Sequence, residues 1–394
     1  MGAGNPPPAL TGREAQEEQF RRLLGRLARG NHEPSMILSG LRGVGKTVLL
    51  LEFRDIAVGE LGWVAAHPIE IKSDTDFRAE LAEQIFRALQ ELSRSRAVGD
   101  RLKRFAKILN GFKFAAGADG SIEFTFDPAV ADAALAATGD LERDLTALLV
   151  EVGAVAQEHD TGFLILIDEM QFLAKHEMEA VAAAMHRMSQ TGLPVALVGT
   201  GLPQLPGLLV DAKSYAERLF SYPKLDRLDE ASARAALVLP AQQHDVEFAT
   251  ASTPEQDPLA RLLSLSGCYP AFIQAYGKGV WDAAETSPIT VDDVEAAVPH
   301  VAEKLDREFF MTRFVKATPA EGRYMAAMAA LGDGPQESGS VAALLKTTTS
   351  AQSVHRDALI KKGLIYSPQH RKVDFTVPHF AGFMRRHAPL STAS

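Results

Sequence analysis

Eight consecutive residues, Gly40-Leu-Arg-Gly-Val-Gly-Lys-Thr47, meet the spacing G-x-x-x-x-G-K-[ST] at every fixed position. The chemistry open to such a segment is the cradling of phosphate groups. Gly40, Gly43 and Gly45 let the chain curl so that backbone N–H groups, that of Val44 among them, point inward at phosphate oxygens. A helix beginning at Lys46 adds the positive end of its dipole. The Lys46 ammonium is expected to reach the β- and γ-phosphates of ATP, and the Thr47 hydroxyl to ligate Mg²⁺. Such chemistry also needs carboxylates at the end of a neighbouring strand. Phe163-Leu-Ile-Leu-Ile167 is apolar throughout and runs into Asp168-Glu169. Asp168 is expected to hold Mg²⁺, directly or through water, and Glu169 to act as general base on the attacking water. A base adjacent to the metal carboxylate points to ATP hydrolysis, with a further strand inserted between the P-loop strand and the acidic strand.

Alternating strands and helices must position these groups. Met36-Ile-Leu38 reads as a short buried strand stopping at Gly40, and residues 46–58 as the helix after it. Trp63 to Ile71 is strand-like. Helical spacing continues over 76–93, and Leu141, Leu145, Leu148, Leu149 and Val152 share one helix face. The run 163–167 reads as a central parallel strand buried on both faces, and Val195 to Val198 as another. Met178, Val181, Met185 and Met188 recur at helical spacing and are expected in the core. Between these elements, residues 97–128 look like an inserted hairpin preceded by Lys103, Arg104 and Lys107. The alternation of strand and helix predicts an α/β parallel sheet to residue 228. Helices at 257–266, 270–284 and 291–309 then form a helical lid over 229–317.

With 46% hydrophobic and 23% charged residues in 394, the chain can build sizeable cores, which excludes disorder as its main theme. A count of 41 Lys and Arg against 50 Asp and Glu gives a net charge of -9, unsuited to a general nucleic-acid coat. Cys268 is the single cysteine, so an intramolecular disulfide framework and a multi-cysteine metal site are excluded; a small buried filler is expected there. No stretch approaches the ~18 apolar residues that span a membrane. Residues 1–8 lack the basic start and apolar core of a signal peptide, so a cytoplasmic protein without membrane contact is expected.

The order Gly12-Arg13-Glu14, P-loop, Ile167-Asp-Glu169 and Val198-Gly-Thr200 resembles AAA+ ATPases of the origin-recognition type, and equally the STAND signalling ATPases. More narrowly, Ser214-Tyr-Ala-Glu-Arg-Leu-Phe220 is similar to a segment of bacterial AAA ATPase-domain proteins with a terminal winged helix. The resemblance implies an ASCE-type P-loop NTPase sheet and places Gly12 and Arg13 near the adenine. It gives Thr200 the part of a polar sensor orienting the attacking water. Arg218 becomes an arginine finger aimed at a neighbouring subunit's γ-phosphate, in a homo-oligomer formed on ATP binding. At the second-sensor position the sequence departs from the family, because Ser266-Gly-Cys-Tyr-Pro-Ala-Phe272 has Ala271 where an Arg is common. The segment is closer to the Gly-x-Pro region of STAND proteins, with Pro270 packed near the adenine, and suggests a slow switch.

Residues 318–394 hold nine Lys and Arg against five Asp and Glu, a net +4, so residues 1–317 carry -13. Three short helices (319–331, 340–346, 350–362) and two strands around Pro368-Gln-His-Arg-Lys372 look like a winged helix. In that reading Gln352, Ser353, His355 and Arg356 face DNA base edges or phosphates, and Arg371 and Lys372 meet the backbone of double-stranded DNA. The leading expectation is an ATP-hydrolysing switch that self-associates or acts on DNA. The alternatives are a STAND-like regulator, whose winged helix holds the ATPase closed or contacts an unknown protein partner, and an ATP-sensitive transcription regulator.

Overall fold

The computed structural model describes residues 6–72, 75–95, 112–116, 122–126, 140–251, 253 and 255–390. The first part runs α1 (Glu14–Leu27), β1 (Ser35–Ser39), α2 (Lys46–Asp55), β2 (Val64–Ala65), β3 (Ile69–Glu70) and α3 (Phe77–Ser95). The hairpin β4 (Phe112–Ala116) and β5 (Ile122–Phe126) comes next, then α4 (Leu141–Glu158), β6 (Phe163–Asp168), α5 (Lys175–Thr191) and β7 (Val195–Gly201). Two short helices, α6 (Leu205–Ala212) and α7 (Ala216–Leu219), lead into β8 (Phe220–Ser221).

The main sheet has the order β2–β6–β7–β1–β8, with β3 also on β6. Its pairings are parallel, and β7 lies between the P-loop strand β1 and the acidic strand β6 as expected. Side-chain alternation divides the sheet between two apolar layers. Ile37, Ile165, Ile167 and Leu197 face α3, α4 and α5, where Leu145, Leu149 and the methionines Met178, Met185 and Met188 are buried. Met36, Leu38, Leu164, Leu166 and Val198 face α1 and α2, meeting Phe20, Leu24, Leu50 and Phe53. The expected single strand over 63–71 is instead two short strands, β2 and β3, flanking His67-Pro68. Proline has no N–H for a ladder bond, so the strand breaks there.

Helices α8 (Glu230–Gln242), α9 (Pro258–Ser266), α10 (Pro270–Ala283) and α11 (Val291–Lys304) come after the sheet, capped by Asp229, Asp257 and Thr290 side chains where the sequence offers them. Leu237, Leu262, Ile273 and Val294 make their shared core. A wider turn, Leu305–Met311, continues α11 into α12 (Thr312–Phe314). The last unit runs α13 (Pro319–Leu331), β9 (Gln336–Glu337), α14 (Ser338–Leu344), α15 (Thr349–Lys361), β10 (Ile365–Tyr366), β11 (Lys372–Phe375) and α16 (Phe380–His387). Its antiparallel sheet is β10–β11–β9, so a third strand joins the two expected. Phe310 and Phe383 stack with centroids 5.4 Å apart, and Tyr324, Met328, Val373 and Phe383 belong to the same apolar cluster as Phe20, Leu38 and Phe53.

Cys268 is half-buried rather than fully buried as expected: it comes after Gly267 in a left-handed turn (φ 57°) that closes α9, and packs at the margin of the helical core. The expected hairpin has its strands in register, Phe112 opposite Phe126; Lys103, Arg104, Lys107 and the turn 117–120 lie outside the described residues. Among the described residues no helix is long and apolar enough to cross a membrane.

Candidate functional site

The loop after β1 turns into α2 through left-handed backbone at Gly43 (φ 88°) and Gly45 (φ 91°). Only glycine takes those values without strain. A Cβ at Gly43 would stand 2.9 Å from the Ala271 Cβ, so the helical region packs directly on this loop. Lys46, the first residue of α2, is buried; its Nζ donates to the Gly40 and Leu41 carbonyls, both at 2.9 Å. An ammonium has three protons, so one remains for a phosphate oxygen. Burial pushes the Lys46 pKa down to about 8, against the pull of Glu169 and Asp168 and helped by Arg42.

Parallel register brings the acidic strand alongside. Leu38 pairs with Thr200, and Ile167 with Gly199, so Asp168 emerges beside both. The Thr47 hydroxyl donates to Asp168 Oδ2 at 2.6 Å, and the Glu169 N–H to Oδ1 at 2.8 Å. The Thr200 hydroxyl also donates to Oδ1. Thr200 is fully buried, and the Asp168 carboxylate is its side-chain partner within the fold. Thr47 and Asp168 form a hard oxygen pair that suits Mg²⁺, which binds through few protein oxygens plus phosphate and water.

Glu169 stands in left-handed backbone (φ 57°), a strained position for a non-glycine residue that turns its side chain over the loop. One carboxylate oxygen lies 3.4 Å from Arg42 Nη1; the other accepts from the Gln171 amide. Gln171 in turn accepts the Leu202 N–H at 3.0 Å, so Glu169 is tied to the end of β7. Sequence reasoning missed both residues. Arg42 occupies a variable position of the spacing, where only its charge could have drawn notice. Its N–H donates to the Thr376 carbonyl at 3.0 Å, its Nε to the Gly363 carbonyl at 3.3 Å, and its own carbonyl accepts the Tyr269 hydroxyl. The C-terminal unit is therefore hydrogen-bonded to the phosphate loop.

The remaining expected residues divide. Arg13 is buried and donates to the Val44 carbonyl at 3.0 Å and the Asp226 carbonyl at 2.9 Å; burial holds its pKa down, with Asp226 opposing. Gly12 (φ 69°) precedes it, packed so closely that a Cβ would stand 2.7 Å from Ser232. Pro270 opens α10, and Ala271 gives its N–H to the Gly43 carbonyl at 3.1 Å. These residues surround the loop. Arg218 does not: Phe220 pairs with Ser35, so α7 lies at the opposite end of β1, and Arg218 is exposed there. The six C-terminal candidates belong to the last unit. Arg356 bonds Asp357 at 2.9 Å, Lys372 lies 3.9 Å from Glu337, and the Ser353 hydroxyl donates to the Ser350 carbonyl at 2.7 Å. Gln352 and His355 are half-buried, and Arg371 is exposed.

A strand-loop-helix cradle facing a strand-end Asp-Glu pair, with the strand order described, decides the comparison. Residues 9–198 match the family described as AAA ATPase domain. This stretch, just under half of the chain, is similar to that family. Residues 307–384 match a family described as a domain of unknown function. A search of curated proteins returns no match. Among solved structures, the chain is similar to the Aeropyrum pernix ORC2 protein in its ADPNP-ADP complexes, at 14% identity over 98% of this chain and 96% of that one, TM-score 0.52. That likeness bears on fold. Similarity extends to a Thermotoga maritima RuvB variant, at 16% identity over 96% of each chain with TM-score 0.46. It extends also to the Aeropyrum pernix ORC1 protein in complex with DNA, at 16% identity over 97% and 94% with TM-score 0.44. The matched stretch thus carries the Gly40–Thr47 loop, the Thr47–Asp168 pair and Glu169 in one connected cluster.

Proposed function

We propose that this protein is an ATP-hydrolysing switch whose C-terminal unit, built in the strand and helix order of a winged helix, closes on its own phosphate loop. Lys46 and the loop N–H groups hold the phosphates, and Thr47 with Asp168 holds Mg²⁺, which would neutralise charge on the β- and γ-oxygens. Glu169 takes the proton of the attacking water; Thr200 fixes the Asp168 carboxylate. The observation carrying the switch is Arg42, whose N–H and guanidinium bond Thr376 and Gly363 while its Nη1 faces Glu169. A carboxylate held by Arg42 and Gln171 is restrained from taking a proton, so closure and a quiet base go together. This favours the regulator with a closing C-terminal unit over a DNA-reading one, because acids already pair Arg356, Lys362, Arg385 and Arg386 of that unit. Self-association belongs to the proposal through exposed Arg218, whose target lies in another copy.

Gly363→Ala tests the closure. Gly363 has φ 64°, and a Cβ there would stand 2.6 Å from Arg42 Nη2. Full-chain ATP turnover is expected to rise about fivefold, equivalent to about 1 kcal/mol for one lost hydrogen bond. Unchanged turnover in a folded variant removes the closing role; absence of ATP binding by the parent protein removes the ATPase reading.

A further inference from the structure

The turn Leu305–Met311 and helix α12 carry a guanidinium that no motif indicated. Arg313 lies over the Phe309 ring, its guanidinium carbon 4.1 Å from the centroid, and donates to the Phe309 carbonyl. The same ring rests on the phosphate loop: a Cβ at Gly43 would stand 3.6 Å from Phe309 Cζ. Arg313 is half-buried, and among the described residues it has no ion pair with a carboxylate. Burial brings its pKa down to about 10; neighbouring Arg42 lowers it too, while Tyr269 and Glu169 raise it. The side chain is therefore within electrostatic reach of both the loop arginine and the base. A positive charge drawn out of water beside another positive charge is unfavourable unless an anion joins it. Arginine's planar fork matches phosphate oxygens.

The geometry points to Arg313 as a ligand of the terminal phosphate of bound nucleoside triphosphate, so that the segment leading into the C-terminal unit distinguishes ATP from ADP. This rests on the ATPase reading above. It assigns a cation to the site from an element far along the chain from Ala271, whose methyl side chain cannot contact phosphate. Contact at Arg313 is also mechanically connected. Phe309 packs on Phe272 at 5.6 Å between centroids, and Phe314 on Phe383 of α16 at 6.2 Å. A pull on Arg313 is thus felt by the same apolar cluster that seats the C-terminal unit.

Equilibrium binding of ATP and of ADP, each with Mg²⁺, to full-chain parent protein, Arg313→Gln and Arg313→Lys tests the assignment. In Arg313→Gln, ATP affinity is expected to fall about tenfold, the loss of one charged hydrogen bond, with ADP affinity changed less than about threefold. Arg313→Lys, which keeps the charge, is expected to recover part of the preference. A merely structural arginine predicts a lower melting temperature with the ATP-to-ADP ratio unmoved, and that result overturns the assignment. Equal losses for both nucleotides overturn it as well. Should the Gln variant not fold, the Lys variant decides by the same ratio. Failure of the parent protein to bind either nucleotide overturns the ATPase reading itself, a result distinct from an unmoved ratio.

Discussion

At the C-terminal ends of β1, β6 and β7, Lys46, Asp168 and Thr200 are buried and hydrogen-bonded, and Glu169 is held from two sides. At the N-terminal end of the same sheet, Arg218 on α7 is exposed and, among the described residues, without an ion pair. The first arrangement is completed by the chain itself, since Arg42 reaches Gly363 and Thr376 of the last unit. The second offers its cation outward. Buried charges need partners within the fold, whereas an exposed arginine keeps its hydration and waits at little cost. One end of the sheet therefore holds an internally closed cluster of charged groups, and the other leaves its cation exposed.

The sharpest break of this contrast lies at the closed end. Glu169→Gln keeps the shape but removes the base, so turnover is expected to fall about a hundredfold or more while ATP binding persists. Near-normal phosphate release by this variant, measured under saturating ATP, would place the base elsewhere. A smaller effect comes from the Lys46 pKa of about 8. Bound phosphate favours the charged form, so the ammonium's contribution is present below that pH and lost as pH rises through it. ATP affinity is expected to drop about tenfold from about pH 7 to about pH 9, with proton uptake on binding in that window. Calorimetry in buffers of different ionisation enthalpy reads the uptake; a flat profile would mean that Lys46 stays charged throughout. The smallest effect belongs to the open end. Arg218→Ala is expected to lower turnover several-fold only at high protein concentration and to leave ATP binding unchanged. A loss that persists at high dilution would contradict action between copies, and concentration-independent turnover in the parent protein would contradict it too.

Much of the closed site was legible because its parts are local in the chain. The Gly40 to Thr47 spacing encodes a turn and a helix start within eight residues, and the apolar run 163–167 encodes the strand that carries Asp168 and Glu169. The strand that separates them is equally readable, since Val195 to Val198 is apolar without interruption. Partners were less accessible. Thr200 was readable as polar and near the strand end, yet its bond to Asp168 depends on the register Leu38 opposite Thr200. Gln171, two residues beyond Glu169, has no pattern of its own. The basic excess of the C-terminal unit was countable in the sequence, but the pairing of its charges was not. In space Arg385 meets Asp333, and Arg386 meets Asp306 from the preceding helical region.

The sequence alone therefore determined the phosphate cradle, its acidic counterpart, the parallel α/β class and the helical character of residues 229–317, all through spacing and periodicity over short windows. The tertiary structure decided how those pieces act on one another. Arg42 and the Gly363 carbonyl it bonds are 321 residues apart in the chain, and Arg313 comes to the P-loop through a phenylalanine ring. Such contacts have no local signature. They arise when packing of Phe272, Phe310 and Phe383 in one apolar cluster brings distant backbone to the loop, where each polar group must find a partner or leave the interior.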